Sequence, residues 1–380
     1  MEKEKSTPRF LEFEFLKALA MLGLPLVHTM EAALYEELAT ESLAAFGERL
    51  FLLDAFGPSV FMICMGFGIG GGRVSAASTR RTGVRFLLIN ALLNLLRWFL
   101  PGLVEALAIG TDPYVDFCYC FESDIYFFVG LFFILYSFMM KRKNASFRML
   151  LLSAVTLSVN QLLSPLTARL ITDPLAATIV GNFVHVDEGS CFPLFSWAIF
   201  PTVGILLGET LKKSTEAFRE EFMRRLTAFS VIFFAAFALF LHSYGIDVLK
   251  VLVSTNNNYI TDLPNVLLLL SLAGAVIGGA YYLCRAIRGT RLMQYALRLS
   301  AYIIPFYMLQ WILVSWVFYA LVIFRTEPGT LGFAPYFIIA LSALAVCLYL
   351  SMAHGMKLTR LLMKVISPKR RRKKGGGQNA

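Results

Sequence analysis

Ten stretches of nearly continuous apolar sequence, each close to twenty residues long, recur along this 380-residue chain. They lie at roughly 13–34, 50–70, 85–109, 123–140, 147–165, 192–211, 225–244, 263–285, 297–323 and 331–355. That length is what an α-helix needs to cross the hydrocarbon of a bilayer. In lipid every backbone N–H and C=O must be satisfied by protein, which turns such runs into helices. The pattern therefore predicts an all-α fold, a polytopic membrane helical bundle of about ten transmembrane helices. Composition agrees: 57% of residues are hydrophobic and 16% charged, far from the balance of a soluble domain. No loop is long enough for a soluble domain, so one bundle is expected over 13–356, between an N-terminal tail (1–12) and a basic tail (357–380). The first span is flanked by charge and lacks a small-residue cleavage site, so it reads as a retained helix and not a cleaved signal.

Charge orients the bundle. Of the 35 Lys and Arg, all but Arg49, Arg97, Arg169, Lys250 and Arg325 fall on the two tails and on alternate loops. Cytoplasmic segments carry such an excess, so both termini are expected in the cytoplasm of a multi-pass cell-membrane protein. An even number of spans meets that requirement. The net charge of +10 is thus topological. The run Lys369–Lys374 sits beside a membrane and reads as a topology or anionic-lipid element, not a nucleic-acid site. No internal repeat is visible, so the inverted duplication of many transporters has no support.

The first span carries what lipid does not tolerate without reason: Glu14, Lys17, His28 and Glu31. Lys17 and His28 are eleven residues apart, about three turns, so they share a helix face about 16 Å apart along the axis. Glu14 falls on the same stripe and is placed to pair with Lys17. Pro25 removes one backbone bond just before His28. As an imidazole held in the hydrocarbon, His28 is the leading catalytic candidate, as a general base or a nucleophile; the plain alternative is a polar contact between helices. Glu31 lies one turn later and either orients the ring or sits among headgroups; with Asn94 and Arg97 it is a candidate substrate-channel residue.

The pattern Glu14-x-x-Lys17, ten residues, then His28 resembles the first helix of the family-3 membrane acyltransferases, in which an acid-x-x-Arg precedes the His. The layout of the whole chain also resembles this superfamily, which includes the heparan-α-glucosaminide N-acetyltransferase group. Lys17 stands where that pattern has Arg, keeping the charge and losing the planar fork. The resemblance implies transfer of an acetyl or other acyl group from cytoplasmic acyl-CoA to a hydroxyl or amine of a carbohydrate or lipid-linked acceptor, without a metal. It implies a catalytic role for His28, with Lys17 and Glu14 at the donor end. Arg80, Arg81 and Arg85, in a Gly- and Arg-rich segment after the second span, are candidates to clamp the phosphates of CoA. Arg81 and Arg85 are four apart where the family pair is three apart, and ordinary cytoplasmic charge accounts for them better.

Further along, Asn90, Asn94 and Arg97 share a face at i, i+4, i+7 and are expected to line a substrate channel. A guanidinium inside a span needs a partner, and Asp54, Glu105 or a bound anion are candidates. Pro193 and Pro201 suggest that the sixth span is broken beside a cavity. His185, Asp187 and Glu188 in the loop before it offer an acceptor site, with weak spacing for a metal. Cys191 could form a disulfide with Cys118 or Cys120 on the outer side, while Cys64, Cys284 and Cys347 lie within spans. Asn144-Ala-Ser146 fits a glycosylation sequon on the cytoplasmic side, where it would be silent. The rival to an acyltransferase is a secondary transporter of a small organic solute, using His28 and Arg97 as a relay.

Overall fold

The apolar runs are helical throughout the computed structural model, which describes residues 10–72, 74–186, 191–253 and 262–366, side chains at 48, 49, 51–56, 168, 250 and 363–366 excepted. In chain order the elements are α1 (Leu11–Tyr35), α2 (Glu41–Ile69) and α3 (Ala76–Asn94), which continues through a π-helical segment (Leu95–Phe99) into α4 (Leu100–Ile109). Next come α5 (Tyr114–Tyr119), α6 (Ile125–Met139), α7 (Ala145–Leu170), α8 (Pro174–Gly181), α9 (Leu194–Trp197) and α10 (Ile199–Leu211). The chain ends with α11 (Glu216–Ser243), α12 (Val248–Val253), α13 (Leu263–Ala286), α14 (Arg291–Ser300), α15 (Ile303–Ile323) and α16 (Phe333–Ile366). Among the described residues there is no β-strand, only a single bridge between Ala39 and Leu331.

Eight helical stretches are long and apolar enough to cross a membrane, and two shorter apolar ones, Gly57–Ile69 and Ile125–Met139, fall within the expected runs at 50–70 and 123–140. Proline explains where the expected boundaries moved. Pro201 has no N–H to offer the Trp197 carbonyl, and the sixth run is broken at Ala198 into α9 and α10. Pro305 suits a first helical turn better than a helix interior, and the ninth run is split at Ala301–Tyr302.

α1 is the hub, packed against α2, α13, α14, α15 and α16. Its N-terminal end is tied to the end of α2 by Phe13, whose ring stacks on Phe67 at 3.7 Å. The glycines after residue 65 have a structural purpose. A Cβ at Gly66 would strike the carbonyl of Pro201, one at Gly70 that of Ile205, and one at Gly204 that of Ile63. α2 and α10 thus touch backbone to backbone through small residues four apart, as membrane helices do when no hydrophobic effect drives them together. Lys212 donates to the carbonyls of Phe67 (2.6 Å) and Gly68 (2.9 Å), satisfying the C-terminal end of α2. α7, α11 and α16 expose most of their apolar side chains, among them Leu162, Ile232, Leu239 and Tyr349, and in a bilayer that surface faces lipid.

Candidate functional site

His28 is buried in α1, 4% exposed, and three residues of α15 surround it. Its Nδ1 lies 2.8 Å from Gln310 Oε1, and Gln310 Nε2 in turn donates to the Tyr307 carbonyl at 3.2 Å. That second bond decides which end of the amide is the oxygen, so Nδ1–H donates and Nε2 keeps its lone pair. Nε2 faces Glu31 Oε2 at 3.9 Å, too long for a hydrogen bond but close enough to favour a positive ring. The imidazole stacks on Trp311 (centroids 3.9 Å apart, planes at 17°) and meets Tyr307 edge-on at 5.8 Å. Tyr307, Gln310 and Trp311 follow i, i+3, i+4, so one face of α15 supplies the whole cradle.

Beside it sits Arg97, 2% exposed. The π-helical segment that carries it has a local cause: Pro101 lacks the N–H that would bond the Arg97 carbonyl in an α-helix, and the backbone widens there. The guanidinium reaches Asp124 at 2.7 Å, Glu122 at 3.4 Å and Asn94 Oδ1 at 3.1 Å, and lies 4.6 Å from the Trp311 ring centroid. Tyr307 donates its hydroxyl to both Asp124 oxygens, at 2.9 and 3.1 Å. Two carboxylates thus hold one buried cation, the Tyr307 hydroxyl satisfies one of them, and Trp311 joins that cluster to the imidazole.

Glu122 and Asp124 are the described carboxylate partners of Arg97. Glu105 is not among the groups that hold Arg97, because the loop before α6 folds Glu122 and Asp124 in instead; the Asp54 side chain lies outside the described residues. Asn90 and Asn94 share the expected face, but they do not line the cavity. Their amides donate to the carbonyls of Glu122 (3.3 and 3.1 Å) and, from Asn94, Cys120 (3.2 Å), pinning that loop onto α3. In the loop, burial pushes the Glu122 carboxyl above its ordinary value while Arg97 opposes the shift. Cys191 donates its thiol to Glu122 at 2.9 Å, and Cys118 and Cys120 are also free thiols, so the disulfide that Cys191 could have made is not formed. Burial, reinforced by that carboxylate, raises the Cys191 thiol well above its usual range, which suits a hydrogen-bond donor and not a nucleophile.

A cavity of about 770 Å³ borders this cluster, lined by His28, Glu31, Arg97, Trp98, Trp311 and Cys191 among others. The indole N–H groups of Trp98 and Trp311 are buried without a hydrogen-bond partner in the structure. Trp311 stacks on the imidazole, and Trp98 lies under the Arg97 guanidinium, its ring centroid 5.3 Å away.

Glu14 and Lys17 are not in this cavity. They pair at 2.9 Å, and Glu14 accepts from the Ser300 hydroxyl at 2.7 Å, fastening the start of α1 to α14. Arg80, Arg81 and Arg85 are not in a loop: α3 begins at Ala76, placing all three on its opening turns, with Arg80 and Arg81 exposed and no contact with the cavity. His185 is buried, its backbone N–H held by Asn160 at 2.8 Å, and so does not present its ring to an acceptor; Asp187, Glu188 and the basic run 369–374 lie outside the described residues. Among the described residues no group of three or more His, Cys, Asp or Glu is arranged to hold a metal.

Glu122, Asp124, Tyr307, Gln310 and Trp311 were not singled out from the sequence. Gln310 had a readable signal, an amide inside a 21-residue apolar helix. Asp124 had a fainter one, since it caps α6 and looked like an ordinary loop acid. Residues 10–352 match the family model described as an acyltransferase domain, that of acyltransferase family 3. Comparison with curated proteins and with solved structures returned no match.

Proposed function

The chain belongs to acyltransferase family 3 and is a multi-pass membrane acyltransferase; from that premise we propose that His28 is its general base and acyl-CoA its donor. The observation that carries this reading is the imidazole itself: Nδ1 is committed to Gln310, and Nε2, with its lone pair, sits beside a large cavity. In the proposed step an acceptor hydroxyl or amine attacks the thioester carbon while Nε2 takes its proton. Negative charge gathers on the former carbonyl oxygen, toward which the indole N–H groups of Trp98 and Trp311, two residues that line the cavity, are candidate donors. Collapse expels the CoA thiolate, which recovers the proton from the imidazolium, leaving an acylated acceptor and free CoA thiol. Glu31 stabilises the charged ring between the two proton transfers.

Arg97 positions this apparatus through Trp311 and Tyr307 and is spent on its two carboxylates. We assign CoA to the end where Lys17, Arg80 and Arg81 lie, which the distribution of Lys and Arg makes cytoplasmic. Exposed guanidinium groups there suit phosphate oxygens. The acceptor then enters from the Glu36 end, and O-acetylation of a glycan or lipid-linked sugar is the form of the reaction that a donor as small as acetyl-CoA would serve.

The test is incubation of membranes containing the protein with radiolabelled acetyl-CoA, following both CoA release and the label. Label on a hydroxyl-bearing acceptor supports the reading. CoA left intact while a solute is taken up into vesicles would instead select a transporter.

A further inference from the structure

On α7, Arg148 and Arg169 are both exposed and stand 21 residues apart, about 32 Å of helix. That is the thickness of the hydrocarbon, so the two guanidinium groups mark the head-group layers on either side. Gln161 falls about 4 Å from the midpoint between them. It is exposed, and its carboxamide makes no hydrogen bond among the described residues. The amides of Asn90, Asn94, Asn160 and Gln310, by contrast, are all bonded. Pro165 adds a second unmet group, because it has no N–H to offer the Gln161 carbonyl. One residue thus turns a carboxamide and a carbonyl without its helical donor toward hydrocarbon, where unmet polar groups are costly.

The surroundings of Gln161 form a seam. Phe147, Leu151, Ala154, Ser158, Gln161 and Pro165 are spaced four, three, four, three and four residues apart, and all six are exposed. This is the spacing by which two helices pack at about +20°. The seam is about 27 Å long, close to the full depth of the hydrocarbon. Ala154 and Ser158 at its centre are small, which lets another helix approach, and the Ser158 hydroxyl is turned back onto the Ala154 carbonyl at 3.1 Å. α11 differs: it turns Phe229, Ile232 and Leu239 outward, and lipid covers those without loss.

Whatever covers the α7 seam must donate and accept hydrogen bonds near the membrane midplane. A lipid chain does neither. A second copy does both, because shared topology sets its α7 parallel and its Gln161 at the same depth. About a two-fold axis along the membrane normal, each carboxamide can give one N–H to the other's Oε1 and one to the other's Gln161 carbonyl. Arg148 and Arg169 lie on a flank of the seam among head groups, where water and salt screen their repulsion.

We propose that the chain forms a parallel two-fold dimer in the membrane through α7, with Gln161 paired to the same residue of the second copy. No residue of α7 lines the cavity at His28, so each copy keeps its own site, and the dimer does not depend on the acyltransferase reading.

The experiment mixes full chains fused at the N-terminus to donor or acceptor fluorescent proteins in phosphatidylcholine vesicles, and follows energy transfer as lipid is added. Wild type should lose transfer on dilution along a dimer curve. Gln161→Leu should move the midpoint to about tenfold higher protein density, equivalent to about 1.4 kcal/mol. Gln161→Asn, with a shorter carboxamide, should recover part of that shift, and Leu239→Ala on α11 should cause none. Separately, a benzoylphenylalanine placed at Leu162, beside the seam, should on irradiation join two copies α7 to α7, and one placed at Leu239 should not. This cross-link stands alone if Gln161→Leu does not fold. Wild-type transfer no higher than random proximity gives at every density overturns the proposal, as does an unmoved midpoint in folded Gln161→Leu. Cross-links from position 162 to a different helix or a different protein overturn it too.

Discussion

His28 donates through Nδ1 to Gln310 Oε1 at 2.8 Å, a bond between α1 and α15 that joins residues 282 positions apart in the chain. It fixes the tautomer of the ring. Gln310 is therefore a positioning residue, and its removal should misplace the imidazole's proton without emptying the cavity. Gln310→Leu is expected to lower kcat about 10- to 100-fold with a much smaller change in KM. Gln310→Asn, which keeps the amide on a shorter arm, should recover part of the loss. Steady-state kinetics on both variants read the split; a change in KM alone would assign Gln310 to substrate binding.

Arg97 is held by two buried carboxylates, so deleting it strands charge. Arg97→Met should destabilise the protein by about 3–5 kcal/mol, seen as a lower Tm in detergent. Replacing Glu122 and Asp124 with Gln and Asn in the same chain should restore much of that stability. If the single variant melts like wild type, the cluster is not closed as described.

Contact between α2 and α10 depends on the absence of side chains at Gly66 and Gly204. Gly204→Val should cost about 1–3 kcal/mol or more by forcing the helices apart. Gly23→Ala, facing empty space, should cost nothing and gain up to about 1 kcal/mol of helix propensity. Melting temperatures of the two variants provide the comparison, and equal losses would remove the distinction between a packed and an open glycine.

Glu36, just past the end of α1, provides a pH test. Burial, with Glu105 and Asp116 nearby, raises its carboxyl from 4.5 to about 7. Between those values the folded state holds a proton the unfolded state has lost, so stability falls as pH rises through this window and stays reduced above it. Glu36→Gln removes the penalty. It should be more stable than wild type at pH 8 by on the order of 1–2 kcal/mol, after allowing for partial exposure, and close to wild type at about pH 4, below the unfolded value. A gain that is the same at both pH values would refute this origin.

The class of fold was legible because lipid imposes one demand, internal hydrogen bonding, on every span. His28 was legible for the same reason: a titratable ring in an apolar helix stands out. What surrounds it was not. Gln310, Trp311 and Tyr307 meet His28 only because α15 packs along α1, and nothing in a single sequence gives the rotation of one membrane helix against another. Arg97 was recognised as needing an anion, but its partners came from a loop that folds inward between α5 and α6. Gly66 and Gly70, part of a Gly- and Arg-rich stretch, proved to be a helix contact, and nothing in a single sequence says which neighbouring backbone a small residue admits. Lys17 and Glu14 shared a face with His28, as helical geometry requires, yet neither lines the cavity.

The most direct test of the central claim is acyl-CoA turnover by purified His28→Ala in parallel with wild type, with Tm measured on the same preparations. The expected result is a fall in CoA release of about 10²- to 10⁴-fold with folding retained. Release at the wild-type rate from a folded His28→Ala protein would contradict it.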